Sequence, residues 1–389
     1  MATDLTAADL TAAVLADDPH PHLARLRERE PVARVPALGG WLVTSRDLAL
    51  RVMRDARTYT VDDPRFSTAQ VVGPSMLSLD GPDHTRHRDP FARPLRPART
   101  RARFTAFVEA EAGRLVAALA PAGRAELRGE LAGPLAAAVV TEALGLDGVD
   151  AATVRSWYGA FVEAVSAITA GGDVPLSAAE AYRLLTTAVE EAITASRPGS
   201  LLAAAARDEA GLGAAEVVAN SAVLMFGGID TTEGMIANAV LHLLGHPDQL
   251  RLVLDDRGLL PAAIEESLRL EPSASVVDRY ATRDADLGGT RIRAGDLVRV
   301  SLAGANRDPA VFPDPDRFDV RRRNAAEHLA FAHGPHFCFG APLARLETRT
   351  ALTALLDRLP GLRLDSARPA RPHGLVFRKP PRLDVRWDR

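Results

Sequence analysis

Apolar positions recur at helical spacing through most of the middle of the chain. Between residues 83 and 271 the pattern predicts helices over approximately 84–92, 97–120, 124–145, 151–170, 176–196, 199–209, 213–245, 247–255 and 259–271. Ahead of them, Asp18-Pro19 leads into a short helix over 22–30. Val32-Ala33-Arg34-Val35 and Trp41-Leu42-Val43-Thr44 then read as a small hairpin around Gly39-Gly40, followed by a helix over 45–56. Residues 57–80, with Pro64, Gly73 and Pro74, carry neither period, and an irregular connection of that length is usually functional or disordered. Past 271 the helical period gives way to strand-like stretches over 276–282, 290–293 and 296–302. A coil rich in Pro and Asp spans 303–330. A last helix follows Cys338, from Ala341 through Leu352, Leu355 and Leu356, and strand fragments close the chain. The expectation is a mainly α chain with minor β.

Two stretches sit badly in this pattern. Val223-Leu224-Met225-Phe226-Gly227-Gly228-Ile229-Asp230-Thr231-Thr232 lies midway along an apolar helix. Each glycine there costs about 0.5–1 kcal/mol relative to alanine. Asp and Thr compete with the helix for backbone hydrogen bonds. A locally opened helix with a groove beside it accounts for the cost. Close helix packing accounts for Gly227 and Gly228, but not for Asp230.

The second stretch is Phe331-Ala332-His333-Gly334-Pro335-His336-Phe337-Cys338-Phe339-Gly340, which holds the chain's single cysteine. A lone cysteine forms no internal disulfide and no zinc site built on several thiolates. It could be a nucleophile, a free core thiol, or the sole protein ligand of a heme iron. As a nucleophile it has His336 only two residues away and no evident oxyanion arrangement. The flanking Gly334 and Gly340 would let a flat cofactor and a neighbouring helix approach the backbone. A thiolate at the start of the following helix is favoured by unpaired N–H groups and the helix dipole.

The chain has 389 residues, 47% of them hydrophobic, with a net charge of −3, which gives no nucleic-acid signal. Lys379 is the only lysine; genomic base composition accounts for that, and no function is attached to it. No run of about 18 apolar residues suggests a membrane span. Met1-Ala2-Thr3-Asp4-Leu5 does not start a signal peptide. A cytoplasmic protein is expected, and one cysteine fits a reducing compartment.

The Cys338 stretch resembles the heme-binding loop of the cytochrome P-450 superfamily, as found in bacterial heme-thiolate monooxygenases, through Phe331, Gly334, His336, Cys338 and Gly340. The resemblance implies that Phe331 packs beside the sulfur, His336 reaches a heme propionate and Cys338 ligates the iron. Gly227, Gly228, Asp230, Thr231 and Thr232 resemble the family's acid–Thr segment over the distal heme face. There Thr231 would hold a water and Asp230 would relay protons from solvent, so that the O–O bond of dioxygen cleaves heterolytically. Glu266 and Arg269, 69 residues ahead of Cys338 at the latter, resemble a structural Glu-x-x-Arg pair that locks onto an arginine of the coil. Asn306-Arg307-Asp308 and Phe312-Pro313-Asp314-Pro315 to Phe318 look like that coil. His84 and Arg88, on one helix face, and Arg279 would join His336 on the propionates; without the resemblance, 84–88 reads as a solvated charged face. Three positions depart from the family pattern: Phe339 where an aliphatic residue is usual, Ala332 for a frequent Gly, and Gly227 where Ala is commoner.

The resemblance implies one domain over 1–389 with the triangular heme-thiolate fold, a heme b and dioxygen activation. The reaction is oxidation, foremost hydroxylation, of a small organic biosynthetic intermediate. Ring coupling, desaturation or nitration at the same heme stays open, as does heme binding without turnover. The implied distal pocket supplies Met76, Leu77, Phe161, Val223, Phe226, Ser275, Val276, Val376 and Phe377, with Trp157 and Tyr158 either above it or in a helix interface. A fused reductase is not expected, and electrons are expected from a ferredoxin and ferredoxin reductase. Arg96, Arg99, Arg101, Arg103, Arg345 and Arg349 would attract an acidic partner to the face around Cys338.

Overall fold

A computed structural model describes residues 6–169 and 173–389. The first five residues, and residue 170 at the end of the predicted 151–170 helix, lie outside the described residues. The Thr231–Gly245 helix is buried from Thr232 to Leu244. A helix apolar on every side belongs at the centre of a helical layer. Gly133–Leu144, Leu260–Leu270 and Ala341–Arg358 pack around it, and Pro97–Leu119 lies along Ala341–Arg358.

The predicted 213–245 helix is real but not uniform. It runs as Ala214–Met225, a π-helical turn Phe226–Asp230, and Thr231–Gly245. The predicted 124–145 helix needs a correction. Gly123, at φ +70°, ends the preceding helix, and Arg124–Glu126 is a strand pairing antiparallel with Asp384–Arg386. The Glu126 carboxylate then accepts the N–H groups of Arg128 and Gly129, which caps the helical segment that starts at 128.

The hairpin Val32–Val35 with Gly40–Val43 opens a five-stranded sheet. Gly40–Val43 pairs parallel with Leu297–Ser301, which pairs antiparallel with Val276–Ala281, and Tyr59–Thr60 closes the edge. The sheet has its own apolar core around Val43, Met53, Val298 and Val300. Beyond the strand Tyr59–Thr60, residues 57–80 hold one short helix, Ser67–Val72. A small hairpin, Ala285–Leu287 with Thr290–Ile292, turns on Gly288 and Gly289, both at positive φ, and its first strand was not expected.

Arg269 and Glu266 are both 0% exposed and pair at 2.7 Å. Arg322 supplies the arginine from the coil, 2.9 Å from Glu266. Arg269 also donates to the carbonyls of Asn306, Pro315 and Arg317, so one guanidinium pins a long stretch without regular structure. Arg307 instead donates to the Leu270 carbonyl and Asp316. Among the described residues no helix is long and apolar enough to cross a membrane.

Candidate functional site

A cavity of about 1390 Å³, including its open mouth, lies between the central helix and the Cys338 loop. The loop contributes Phe331, Ala332, His336, Cys338, Phe339 and Gly340 to its wall; the helix contributes Gly227, Gly228, Thr231 and Thr232. Arg88 also lines it.

The widened turn follows from its residues. A β-carbon on Gly228 would stand 2.4 Å from Val140 Cγ2, so this glycine lets the Gly133–Leu144 helix come close. A β-carbon on Gly227 would meet nothing within 4 Å, because that side faces the cavity. Both sequence explanations therefore hold, one for each glycine. The Thr231 hydroxyl donates to the Gly227 carbonyl, which the wider turn leaves available. Asp230 does not line the cavity. It is 8% exposed, and its Oδ1 lies 2.5 Å from Lys379 Nζ. Lys379 is also 3.2 Å from Glu233, which pairs with Arg128.

The Cys338 loop is held by the Cys338 N–H donating to the Phe331 carbonyl at 2.9 Å. Gly334, at φ +73°, has its α-carbon against the neighbouring helix: a β-carbon would fall 2.3 Å from the Met53 carbonyl oxygen. Its role is loop packing, not the approach of a cofactor. Ala332 takes φ +57°, the left-handed conformation that explains why glycine is frequent there. Burial pushes the Cys338 thiol up; N–H groups of Gly340 and Ala341 and the charges of Arg88 and Arg345 draw it back in part. The bulky Phe339 lies under the Arg88 guanidinium, 4.8 Å from ring centroid to Cζ.

Beside the loop, basic groups crowd together. The rings of His84 and His336 lie 4.3 Å apart, centroid to centroid. His84 Nε2 is buried and unpartnered. Burial, reinforced by His336 and Arg88, brings His84 down to about 4. His336 reaches Asp80 at 2.8 Å and is also lowered by its burial. Arg279 is 4% exposed, and its guanidinium donates to the Asp278 carbonyl. Burial lowers it despite nearby Asp80. The region is thus not the solvated face that composition alone suggested.

Of the expected pocket residues, Met76, Leu77 and Val223 line the cavity and the rest do not. Phe161 is 0% exposed and stacks on Phe226, which also meets Tyr158 edge-on. Both rings are helix-interface core, as are Trp157 and Tyr158. Val276 points away because side chains alternate along a strand; Val277 faces the cavity instead. Ser275 donates its hydroxyl to the Leu375 carbonyl, and it and Val276 border a narrow cleft beside the N-terminal helices. Val376 is 41% exposed, and Phe377 bridges Ala274 through its backbone. Ser273 and Ala274 form the wall there.

The basic face is smaller than expected. Arg103 pairs with Glu142, and Arg345 with Glu265 at 2.7 Å. Burial would raise the Glu265 carboxyl, but Arg345 and His328 bring it to about 2. Arg96, Arg99, Arg101 and Arg349 stay exposed, the last three on two packed helices. Sequence reasoning missed Lys379, Glu233 and Asp80; the lone lysine in an arginine-rich chain was the one signal available.

The family model described as Cytochrome P450 matches residues 197–381. The chain is 40% identical to the cytochrome P450 monooxygenase PikC of Streptomyces venezuelae, over 96% of this chain and 92% of that protein. It is 36% identical to the mycinamicin IV hydroxylase/epoxidase of Micromonospora griseorubida, over 93% and 94%. The crystal structure of CalO2 superposes with a TM-score of 0.90 at 32% identity, covering 99% of each chain. With such identity over nearly its whole length, the chain belongs to the cytochrome P450 family, whose members are heme-iron monooxygenases that draw electrons from redox partners to oxidise small molecules.

Proposed function

We propose that the chain hydroxylates a natural-product intermediate at a heme b ligated by Cys338. The observation that carries this reading is the desolvated basic cluster beside the cysteine. Among the described residues, His84 offers a buried, unpartnered ring nitrogen, and Arg279 is almost wholly buried and donates to a backbone carbonyl. Groups this costly to bury fit two carboxylates that would enter with the cofactor.

When bound, the heme supplies dioxygen binding and activation, with the thiolate donating electron density toward O–O cleavage. The chain does the rest. The N–H groups of Gly340 and Ala341 stabilise the Cys338 thiolate. His84, Arg88, Arg279 and His336 would hold the propionates. Gly227 leaves the cavity open beside the central helix, Thr231 would orient a water at its hydroxyl, and Asp230 would deliver protons. Apolar walls from Leu144, Val223, Leu224 and Leu302 exclude water and bind substrate by shape. The motifs around this one cavity span His84 to Lys379, which supports a single domain over 1–389.

The substrate reading leans on relatives whose names refer to mycinamicin IV and 20-oxo-5-O-mycaminosyltylactone. A ferredoxin and its reductase are the proposed electron donors, met by the exposed arginines near the Cys338 loop.

The test is the ferrous–carbon monoxide difference spectrum. A red-shifted Soret band of the thiolate type, lost in Cys338→Ser, is expected. An unshifted band, or no heme after heme-supplemented expression, would overturn the reading.

A further inference from the structure

Val223, Leu224, Gly227 and Thr231 share one stripe of the central helix and line the cavity. One turn earlier the same stripe carries Asn220, an amide in an apolar run. Asn220 is 0% exposed. Burying it is costly unless its polar atoms find partners, and they do. Oδ1 accepts from the Met76 N–H at 2.8 Å; Nδ2 donates to the Glu216 carbonyl at 2.8 Å and lies 3.0 Å from His87 Nδ1.

The Met76 bond fixes which end of the amide is the oxygen, and the amide in turn fixes the histidine. His87, 2% exposed, meets an NH2 group with Nδ1, so Nδ1 accepts and the proton sits on Nε2, 3.2 Å from Glu216 Oε1. Arg86 reaches both oxygens of Glu216 and holds that carboxyl down to about 2, so it stays an acceptor. A directed chain of donors therefore runs from Met76 through Asn220 and His87 to Glu216.

Met76 sits in a turn that is otherwise closed on itself. The Ser75 N–H donates to Ser78 Oγ, the Leu77 N–H to Ser75 Oγ, and the Ser78 N–H to the Ser75 carbonyl. Met76 and Leu77 both line the cavity. His87 lies on Gly81–Ala92, the helix that also carries His84 and Arg88. One buried amide thus ties this part of the wall to the central helix and to the helix of the basic cluster. An apolar residue at 220 would suit the helix equally well; the tie to Met76 is what requires an amide.

We propose that Asn220, backed by His87, limits the size of ligand the cavity admits by fixing Met76 and Leu77 as a wall that does not yield. This rests on the heme reading of the site. Asn220 and His87 are positioning residues; they act through Met76.

Azoles that ligate a heme iron probe the space beside it whatever the natural substrate is. Imidazole and the bulky clotrimazole are titrated into holoprotein, wild type and Asn220→Leu, which is close in shape and removes the hydrogen bonds. Imidazole affinity should not change. The ratio of clotrimazole to imidazole affinity should rise about tenfold as the wall loosens, the scale of one buried hydrogen bond left unmade. Hydrogen exchange at the Met76 amide, which needs no ligand, should quicken by about the same factor. His87→Phe leaves Asn220 in place and should move both readouts in the same direction; it decides alone if Asn220→Leu does not fold. An unchanged or lower ratio with faster Met76 exchange would overturn the control of ligand size. Unchanged exchange would overturn the tie itself. No azole-induced Soret shift in the wild type would overturn the heme reading, and the size limit with it.

Discussion

Gly228 and Val140 are in contact that no larger residue permits: a β-carbon on Gly228 would lie 2.4 Å from Val140 Cγ2. Val140 is β-branched and on a buried helix, so it cannot swing aside. Gly228→Ala should therefore lower stability by about 1–3 kcal/mol, as overpacking does. Gly227→Ala, one residue away, should leave the melting temperature unchanged and weaken the spin-state response to bulky ligands, because its methyl enters the cavity. Equal melting temperatures for the two variants would refute this division of roles.

Ala332 holds a left-handed conformation at φ +57°. For a residue with a β-carbon this costs roughly 1–2 kcal/mol, part of which glycine returns in unfolded-chain entropy. Ala332→Gly is expected to stabilise the protein by about 0.5–1 kcal/mol, read as a higher urea midpoint with an unaltered heme spectrum. A lower midpoint would show that the methyl's packing outweighs the backbone strain.

His242 is wholly buried, donates or accepts at Ser267 Oγ across 2.9 Å, and is brought by burial to about 3. The unfolded chain takes up a proton near 6.5, the folded chain only near 3. Its contribution to stability is complete above pH 6.5 and declines as pH falls toward 3. The half-buried Glu265 and buried Glu271 carboxylates, both brought to about 2, add their loss only at lower pH. Between pH 7 and 5 the urea midpoint of the wild type should fall more steeply than that of His242→Gln. Parallel curves would remove His242 from the acid response.

Arg269 answers five acceptor contacts while fully buried. Removing it leaves the buried Glu266 charge to Arg322 alone and takes the donor from three carbonyls of the coil, at about 3–5 kcal/mol. Arg269→Met should give no soluble holoprotein, and any recovered fraction should turn over normally, since the group is far from reacting atoms in role. Soluble, heme-loaded but inactive protein would contradict a purely structural part.

Arg99 and Arg349 remain exposed, whereas Arg345 is committed to Glu265. Electron delivery to Arg99→Glu with Arg349→Glu should slow roughly tenfold at low ionic strength, and the difference should fade with added salt. An unchanged rate would move the docking face elsewhere.

The helices were legible because each buries one apolar stripe at a fixed period. The opened turn at Gly227-Gly228-Ile229-Asp230 was legible because those residues are poor helix formers set in an apolar run. The 124–126 strand was not, since its partner lies 258 residues on, from Glu126 to Asp384, and three residues carry no period. Val276 and Val277 show the same limit at one site: both are apolar, and only the register of the sheet decides which faces the cavity.

The sequence by itself determined the kind of protein, because Cys338, the acid–Thr segment and the Glu266–Arg269 pair are local patterns whose residue types follow from local chemistry. Tertiary structure alone decided what those residues touch. It turned Asp230 away from the cavity onto Lys379, spent Arg345 on Glu265, supplied Arg322 to Glu266, and placed Phe161 and Phe226 in the core. Each of these depends on contacts between residues far apart in the chain, fixed by packing and by the need to pair buried charge, and neither is written into any short stretch of sequence.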